Sequence, residues 1–419
     1  MIQLFFGDNP IFIGKIENRK QLRRTLNFRA LEDNDVITLS ADGMLGTDAG
    51  QHLISVEYST NYGDTWTTYE ISAFPDNPSS GIGPEIELNT DEVVYFRAVD
   101  DNGWFSGDGT DEGGQYASGK MHSYQFSFSK PTAAAGNVGS LIRKNNYSCY
   151  YPYLPGRCFY KLFYNQTNLI TAPDLPATDR MGRRCFSSMF QGCTNLTTVP
   201  ALPECETSQD CYMRMFEDCS SITTAPTIYG TTFATGSCYE MFMNCTSLVN
   251  TQRKLFATTF VGDCCWKMFF GCSSLDTAPD FQPNATMDNS FRYMYKNCTS
   301  LSKLPALHRT ATNGWTSGCY QEMFAYCTSL RDIHLPMVMD SYGTLALASM
   351  FYGCENLERI EVDFTEWPVV SGAQSTYQPT YNWLVDVKSG GTFVCPQQLT
   401  IPEPRSTANV PSTWTIETK

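Results

Sequence analysis

The chain reads as a mixed α+β protein: a solenoid of about eight repeats over residues 135–365, behind an antiparallel β-sandwich over residues 24–130. Two observations predict the solenoid. The signature Cys-aromatic-x-x-Met-Phe-x-x-Cys-Thr-Ser-Leu recurs with its Met or Leu at Leu162, Met189, Met215, Met241, Met268, Met294, Met323 and Met350. The interval is 26 to 29 residues, a length at which one unit buries its apolar face only by stacking on its neighbours. One observation predicts the sandwich. Residues 24–130 alternate β-branched and aromatic residues with polar ones, between turn-forming stretches.

The repeat element follows from residues 211–226. Cys211, Met215 and Cys219 fall at i, i+4 and i+8, with Tyr212 and Phe216 at i+1 and i+5. That spacing predicts one apolar face of a short helix, with Arg214, Glu217 and Asp218 elsewhere on its circumference. Ser220 and Ser221 break the helix by competing for backbone hydrogen bonds, and Ile222 opens a Thr-rich strand that Pro226 ends. Stacking sets equivalent strands about 4.8 Å apart. It also predicts an internal ladder of Phe190, Phe216, Phe242, Phe269, Tyr295, Phe324 and Phe351. A second ladder holds Cys193, Cys219, Cys245, Cys272, Cys298, Cys327 and Cys354. In the first copy Gln166 replaces the second Cys, as in a capping repeat that faces another domain.

The 17 cysteines raise the question of disulfides and metals. Residues 1–8 lack the basic stretch of an export signal, so folding in a reducing cytoplasm is expected. On a helix, the eight residues from Cys185 to Cys193 rise about 12 Å, beyond the ~7 Å Cα reach of a bridge. No Cys-x-x-Cys pair occurs and the four histidines are scattered, which speaks against zinc. Ser237, Ser290 and Ala346 stand at the first-Cys position, so small size is expected to matter more than the thiol. The cysteines are read as small buried side chains, with cross-repeat disulfides in an oxidising medium as the alternative.

Residues 36–39, 54–59, 85–88, 93–98 and 124–128 read as strands, and residues 130–136 as a boundary. Residues 1–23, with Arg19, Lys20, Arg23 and Arg24 at or near their end, read as an edge strand or a docking arm on another subunit. Residues 366–419 read as a C-terminal cap closed by Trp367, Trp383 and Phe393.

Residues 185–203, Cys-Phe-Ser-Ser-Met-Phe-Gln-Gly-Cys-Thr-Asn-Leu-Thr-Thr-Val-Pro-Ala-Leu-Pro, resemble the BspA-like branch of the leucine-rich repeats. That Cys- and Met-Phe-rich form occurs in surface proteins of gut Bacteroidetes and in virion proteins of their crAss-like phages. Residues 383–393 resemble the segment that closes such arrays, and residues 57–66 resemble immunoglobulin-like modules found ahead of them. The likeness covers roughly residues 135–415. It implies a leucine-rich-repeat-type solenoid and roles in adhesion and surface recognition, with no shared catalytic site.

Net charge of −14 and pI near 4.8 argue against a nucleic-acid partner, and no apolar run is long enough to span a membrane. The acidic stretch 100–112 lacks the ordered spacing of a calcium loop and reads as solvated. No nucleophile elbow or paired-carboxylate motif stands out, so no catalytic residue, cofactor or metal is expected. The candidate recognition face is the pair of residues after each repeat's Leu: Thr197, Thr198, Thr223, Thr224, Asp276, Thr277, Ser302, Lys303, Arg331 and Asp332. The expected role is a phage virion structural protein, a head or tail fibre or a capsid decoration. It would join other virion proteins through its N-terminal region, with a host surface glycan or protein as the other partner and a homo-oligomer such as a trimer as its state. The alternative is a bacterial cell-surface adhesin.

Overall fold

The computed structural model describes residues 4–6, 9–11, 22–44, 52–73, 82–99, 121–143, 149–281, 283, 285–305, 316–336 and 342–419. Two compact units emerge, one of residues 1–185 and 195–203, the other of residues 186–194 and 204–419. The acidic stretch 100–112 and the basic residues Arg19 and Lys20 lie outside the described residues.

In the first unit, β1 (Leu4–Phe6) and β2 (Asn9–Ile11) pair antiparallel. The strands β3 (Leu26–Ala30), β4 (Asp35–Met44), β5 (His52–Ser59), β6 (Thr67–Ala73), β7 (Ile82–Leu88), β8 (Val93–Ala98), β9 (Met121–Phe128) and β10 (Thr132–Ala135) follow. After them come β11 (Tyr150–Tyr151), β12 (Leu169–Thr171) and β13 (Ala177–Thr178). One sheet runs β7-β4-β9, all antiparallel; the other runs β12-β10-β3-β8-β5-β6. Period-2 alternation buries Leu26, Phe28 and Ala30 on β3 and Val94, Phe96 and Ala98 on β8. Phe28 meets Phe126 and Phe128 of β9 at 4.7 and 5.0 Å between ring centroids, so the two sheets pack face to face.

The stretch read as a boundary is a strand. β10 pairs antiparallel with β3 and parallel with β12, whose residues belong to the first repeat. Buried Asp35 fixes this corner, accepting from Lys130 N at 3.0 Å and from Thr132 Oγ1 at 2.6 Å. Gln166 accepts from Phe128 N at 3.2 Å, and Asn168 donates to Phe128 O at 2.9 Å. Phe163 lies 5.9 Å from Phe126 with nearly parallel rings. The first repeat is thus sewn to β9, and the Gln that replaces a ladder cysteine is one of the stitches.

The repeats hold no α-helix among the described residues, only single 3-10 turns at Val138–Leu141 and Ser375–Tyr377, which corrects the α component of the expected fold class. Each Cys-to-Cys segment is a run of overlapping turns. Met189 N donates to Phe186 O, Gln191 N to Ser188 O and Cys193 N to Phe190 O, each closing three residues back. The alternate N–H groups leave the coil: Phe186 donates to Cys211 O, Ser188 to Met213 O, Phe190 to Met215 O and Gly192 to Glu217 O. Every fourth residue has a positive φ, as at Arg184 (59°), Ser188 (54°) and Gly192 (76°), the mark of the third position of a type II turn. Nine such runs occur among the described residues: eight begin at Arg157, Arg184, Asp210, Gly236, Asp263, Asn289, Gly318 and Leu345, and the ninth joins the pattern at its second position, Asn382, level with Ser349. A period of four sends residues i, i+1, i+4, i+5 and i+8 inward without rotation, which is why Cys, aromatic, Met, Phe and Cys are all buried.

The aromatic ladder forms in the second unit. Phe190 and Phe216 stack at 5.5 Å with 2° between ring planes, Phe242 and Phe269 at 5.4 Å, and Tyr295 and Phe324 at 5.6 Å. Ser237, Ser290 and Ala346 are fully buried at the first-Cys position, as their size requires. Short parallel strands complete the coils. β14 (Thr232–Phe233), β15 (Thr259–Phe260) and β16 (Ala285–Thr286) form one sheet. Longer strands β17 (Asp332–Leu335), β18 (Arg359–Val362), β19 (Thr392–Cys395) and β20 (Thr415–Thr418) form another. Trp383 fills the Met column of the ninth run, its Nε1 donating to Asn409 O at 2.5 Å.

A candidate recognition face along the coils

All ten residues of the sequence-derived face are exposed. The core takes Leu196, Ile222, Leu275, Leu301 and Leu330, and the next two positions of each coil turn to solvent. In the first unit Thr197 donates both its N–H and its hydroxyl to Ile170 O at 2.9 Å, and Thr198 Oγ1 accepts from Ala172 N. These threonines tie coil to coil with the groups they show to water.

In the second unit the pairing is regular but short. Thr224 bridges Asn250, and Thr277 bridges Lys303, as single parallel β-bridges rather than strands. Ser302 N donates to Asp276 O at 3.2 Å, and Arg331 O accepts from Glu358 N and Arg359 N. Asp332 on β17 lies beside Arg359 on β18, with Arg359 Nη1 at 3.1 Å from Asp332 Oδ1. The same register adds Val249, Asn250, Glu358 and Arg359, which the sequence reading left out. Their signal was present, since each pair follows Leu248 or Leu357 of its own repeat.

Along β17 to β20 the face becomes a charge network. Arg359 Nη2 meets Glu361 Oε2 at 2.9 Å, and Lys419 Nζ meets Glu361 Oε1 at 2.8 Å and Asp363 Oδ1 at 2.5 Å. Hydrogen bonds from Lys419 and Arg359 hold the Glu361 carboxyl below its ordinary range. Burial would raise Asp363, but Lys419 and His334 outweigh it and its carboxyl is also lowered. Arg359 is raised by its bonds to Glu361 and Asp332. His334, Glu361 and Asp363 bring one ring nitrogen and two carboxylates within 4.8 Å of one another, among the described residues the one set able to hold a metal. The sequence reading expected none. Lys419 already supplies a cation to both of those carboxylates, so the network is neutralised from within. Its sequence signal was His334 one repeat before Glu361-Val362-Asp363.

No protein-family model and no curated protein matches the chain. Among solved structures it is similar to a leucine-rich repeat protein from Bacteroides ovatus, at 12% identity and a TM-score of 0.19. The likeness covers 75% of this chain and 99% of that one. No helix among the described residues is long and apolar enough to cross a membrane.

Proposed function

We propose that this chain is a structural and recognition protein of a phage particle, carrying a solenoid of the BspA-like leucine-rich-repeat kind behind an immunoglobulin-like module. The observation that carries the reading is the repeat's division of labour: Cys, Met and aromatic residues fill the interior, while on six of the coils the pair after the buried Leu or Ile is exposed and held by its neighbours. A surface so ordered loses little conformational entropy on contact, which favours recognition over chemistry. The N-terminal residues would join the chain to other virion proteins, and the coil face would meet a host surface glycan or protein. Immunogold labelling of particles and of host cells tests this. Label on particles supports it, whereas label confined to cell envelopes sinks it in favour of an adhesin. A particle whose chain carries Thr224→Lys and Thr277→Lys should assemble normally and adsorb less.

A further inference from the structure

The strands β17 and β18 carry a cluster whose chemistry differs from the hydroxyls and single charges of the recognition face. His334 on β17 pairs in register with Glu361 on β18, and Asp363 follows two residues later on the same side of the chain. His334 Nε2 lies 3.1 Å from Asp363 Oδ2 and 3.9 Å from Glu361 Oε1. Ligand atoms held at about 2.0–2.2 Å around a tetrahedral ion stand roughly 3.3–3.6 Å apart, and the two separations bracket that spacing. The His334 side chain is 49% exposed, so an ion reaches it directly from water.

The donor set selects one class of ion. An imidazole nitrogen with two carboxylate oxygens suits zinc and its transition-metal neighbours, whereas calcium and magnesium take oxygen donors. Arg359 Nη2 binds Glu361 Oε2 at 2.9 Å and leaves Oε1 toward His334, an outer contact of the kind that fixes a ligand's aim. The three side chains stand on neighbouring parallel strands, so the ladder sets their spacing rather than a loop. Lys419 Nζ is the internal competitor. It bonds Glu361 Oε1 and Asp363 Oδ1, while Asp363 Oδ2 stays with His334. One ammonium serves two carboxylates with a single charge; a divalent ion brings two and engages the ring nitrogen as well.

We propose that His334 Nε2, Asp363 Oδ2 and Glu361 Oε1 form a surface site for a divalent transition-metal ion of the zinc class, which clamps β17 to β18. Its test needs neither a host surface nor a particle, so it stands apart from the recognition reading. Isothermal titration calorimetry with zinc chloride reads it on the full chain carrying Cys149→Ser and Cys205→Ser, which removes the two partly exposed thiols as rival ligands. One equivalent should bind, and the melting temperature should rise with it. His334→Ala and Asp363→Asn should each weaken binding at least about tenfold. Lys419→Met, which removes the competing ammonium, should tighten it by about tenfold. Calcium and magnesium in excess should leave the zinc in place. Melting curves without metal show that each variant is folded. Cobalt in place of zinc should give the visible absorption of an ion bound by nitrogen and oxygen. A thiolate charge-transfer band, zinc retained in full by His334→Ala, or the absence of saturable binding overturns the proposal.

Discussion

Cys219 Sγ donates to the backbone oxygen of Phe190, one coil earlier, across 3.0 Å. The same bond recurs from Cys245 to Phe216, Cys272 to Phe242, Cys298 to Phe269, Cys327 to Tyr295 and Cys354 to Phe324, at 3.0 to 3.2 Å. Each of these carbonyls also accepts the N–H three residues ahead, so the thiol serves its second lone pair. A thiolate has no proton to give. Burial pushes these thiols up, Cys354 to about 12, and thereby keeps the donor in place. Size alone explains the first-Cys position, where serine and alanine substitute; it does not explain the second.

Cys245 therefore separates two effects. Cys245→Ala leaves the Phe216 carbonyl with one bond and opens a small cavity, for an expected cost of about 1–3 kcal/mol. Cys245→Leu keeps the apolar character and overpacks a fully buried site, for about 1–3 kcal/mol as well. Equilibrium denaturation measures both. Full stability in Cys245→Ala would show that the sulfur–carbonyl contact contributes nothing.

The buried thiols also set an alkaline limit. Burial raises Cys211 to about 12 and pushes Cys219, Cys245 and Cys298 well above their ordinary value. In the unfolded chain they titrate near 8.5. A group raised by folding contributes stability below its unfolded value and loses it as pH rises toward the folded one. The melting temperature should fall steadily above pH 9. Iodoacetamide at pH 8 should first modify Cys149 and Cys205, the two partly exposed cysteines, and peptide mass spectrometry reads the order.

Glu217 runs the other way round neutrality. Burial is the main cause that lifts its carboxyl to about 7, against the partial help of Arg214 at 3.5 Å. The folded state prefers the protonated acid, so its stability is complete below pH 4.5 and declines as pH rises through about 7. Glu217→Gln keeps an oxygen for Gln191 Nε2, now 2.7 Å away, and removes the buried charge. It should stabilise the protein by about 1–2 kcal/mol at pH 8 and change little at pH 5. Denaturation midpoints at the two pH values decide.

Gln166 marks where the solenoid ceases to need sulfur. Gln166→Cys restores the ladder residue but leaves Phe128 N without its acceptor, an expected loss of about 1–3 kcal/mol. A melting temperature unchanged by that substitution would show that the stitch to β9 is incidental.

Much of this was legible from composition and period. The eight-fold signature located the coils, the aromatic ladder and the exposed pairs, because inward and outward positions alternate at fixed offsets whatever backbone links them. The backbone itself was misread. Cys211, Met215 and Cys219 at i, i+4 and i+8 drift by only about 40° per step on a helix, too little to tell 3.6 from 4. The discriminating residue stood before the second Cys. Gly192, Asp218, Asn244, Gly271, Asn297 and Gly353 are the types that enter the left-handed region most cheaply, and their recurrence speaks for turns. The place of Lys419 in the charge network was beyond reach, since it depends on β20 returning beside β19 and on no repeat motif.

Two substitutions in one coil distinguish a turn run from a helix by sign. In a helix Gly353→Ala would stabilise by about 1 kcal/mol and Ser349→Gly would cost about half that. Here Gly353 has φ of 72°, and a Cβ would meet the Tyr326 ring at 2.5 Å. Gly353→Ala should therefore destabilise by at least about 1–2 kcal/mol. Ser349, at φ of 52°, already carries the strain that glycine would relieve, so Ser349→Gly should be neutral or stabilising by up to about 1 kcal/mol. Chemical denaturation of the pair reads both signs, and the helical order of effects would refute the turn run.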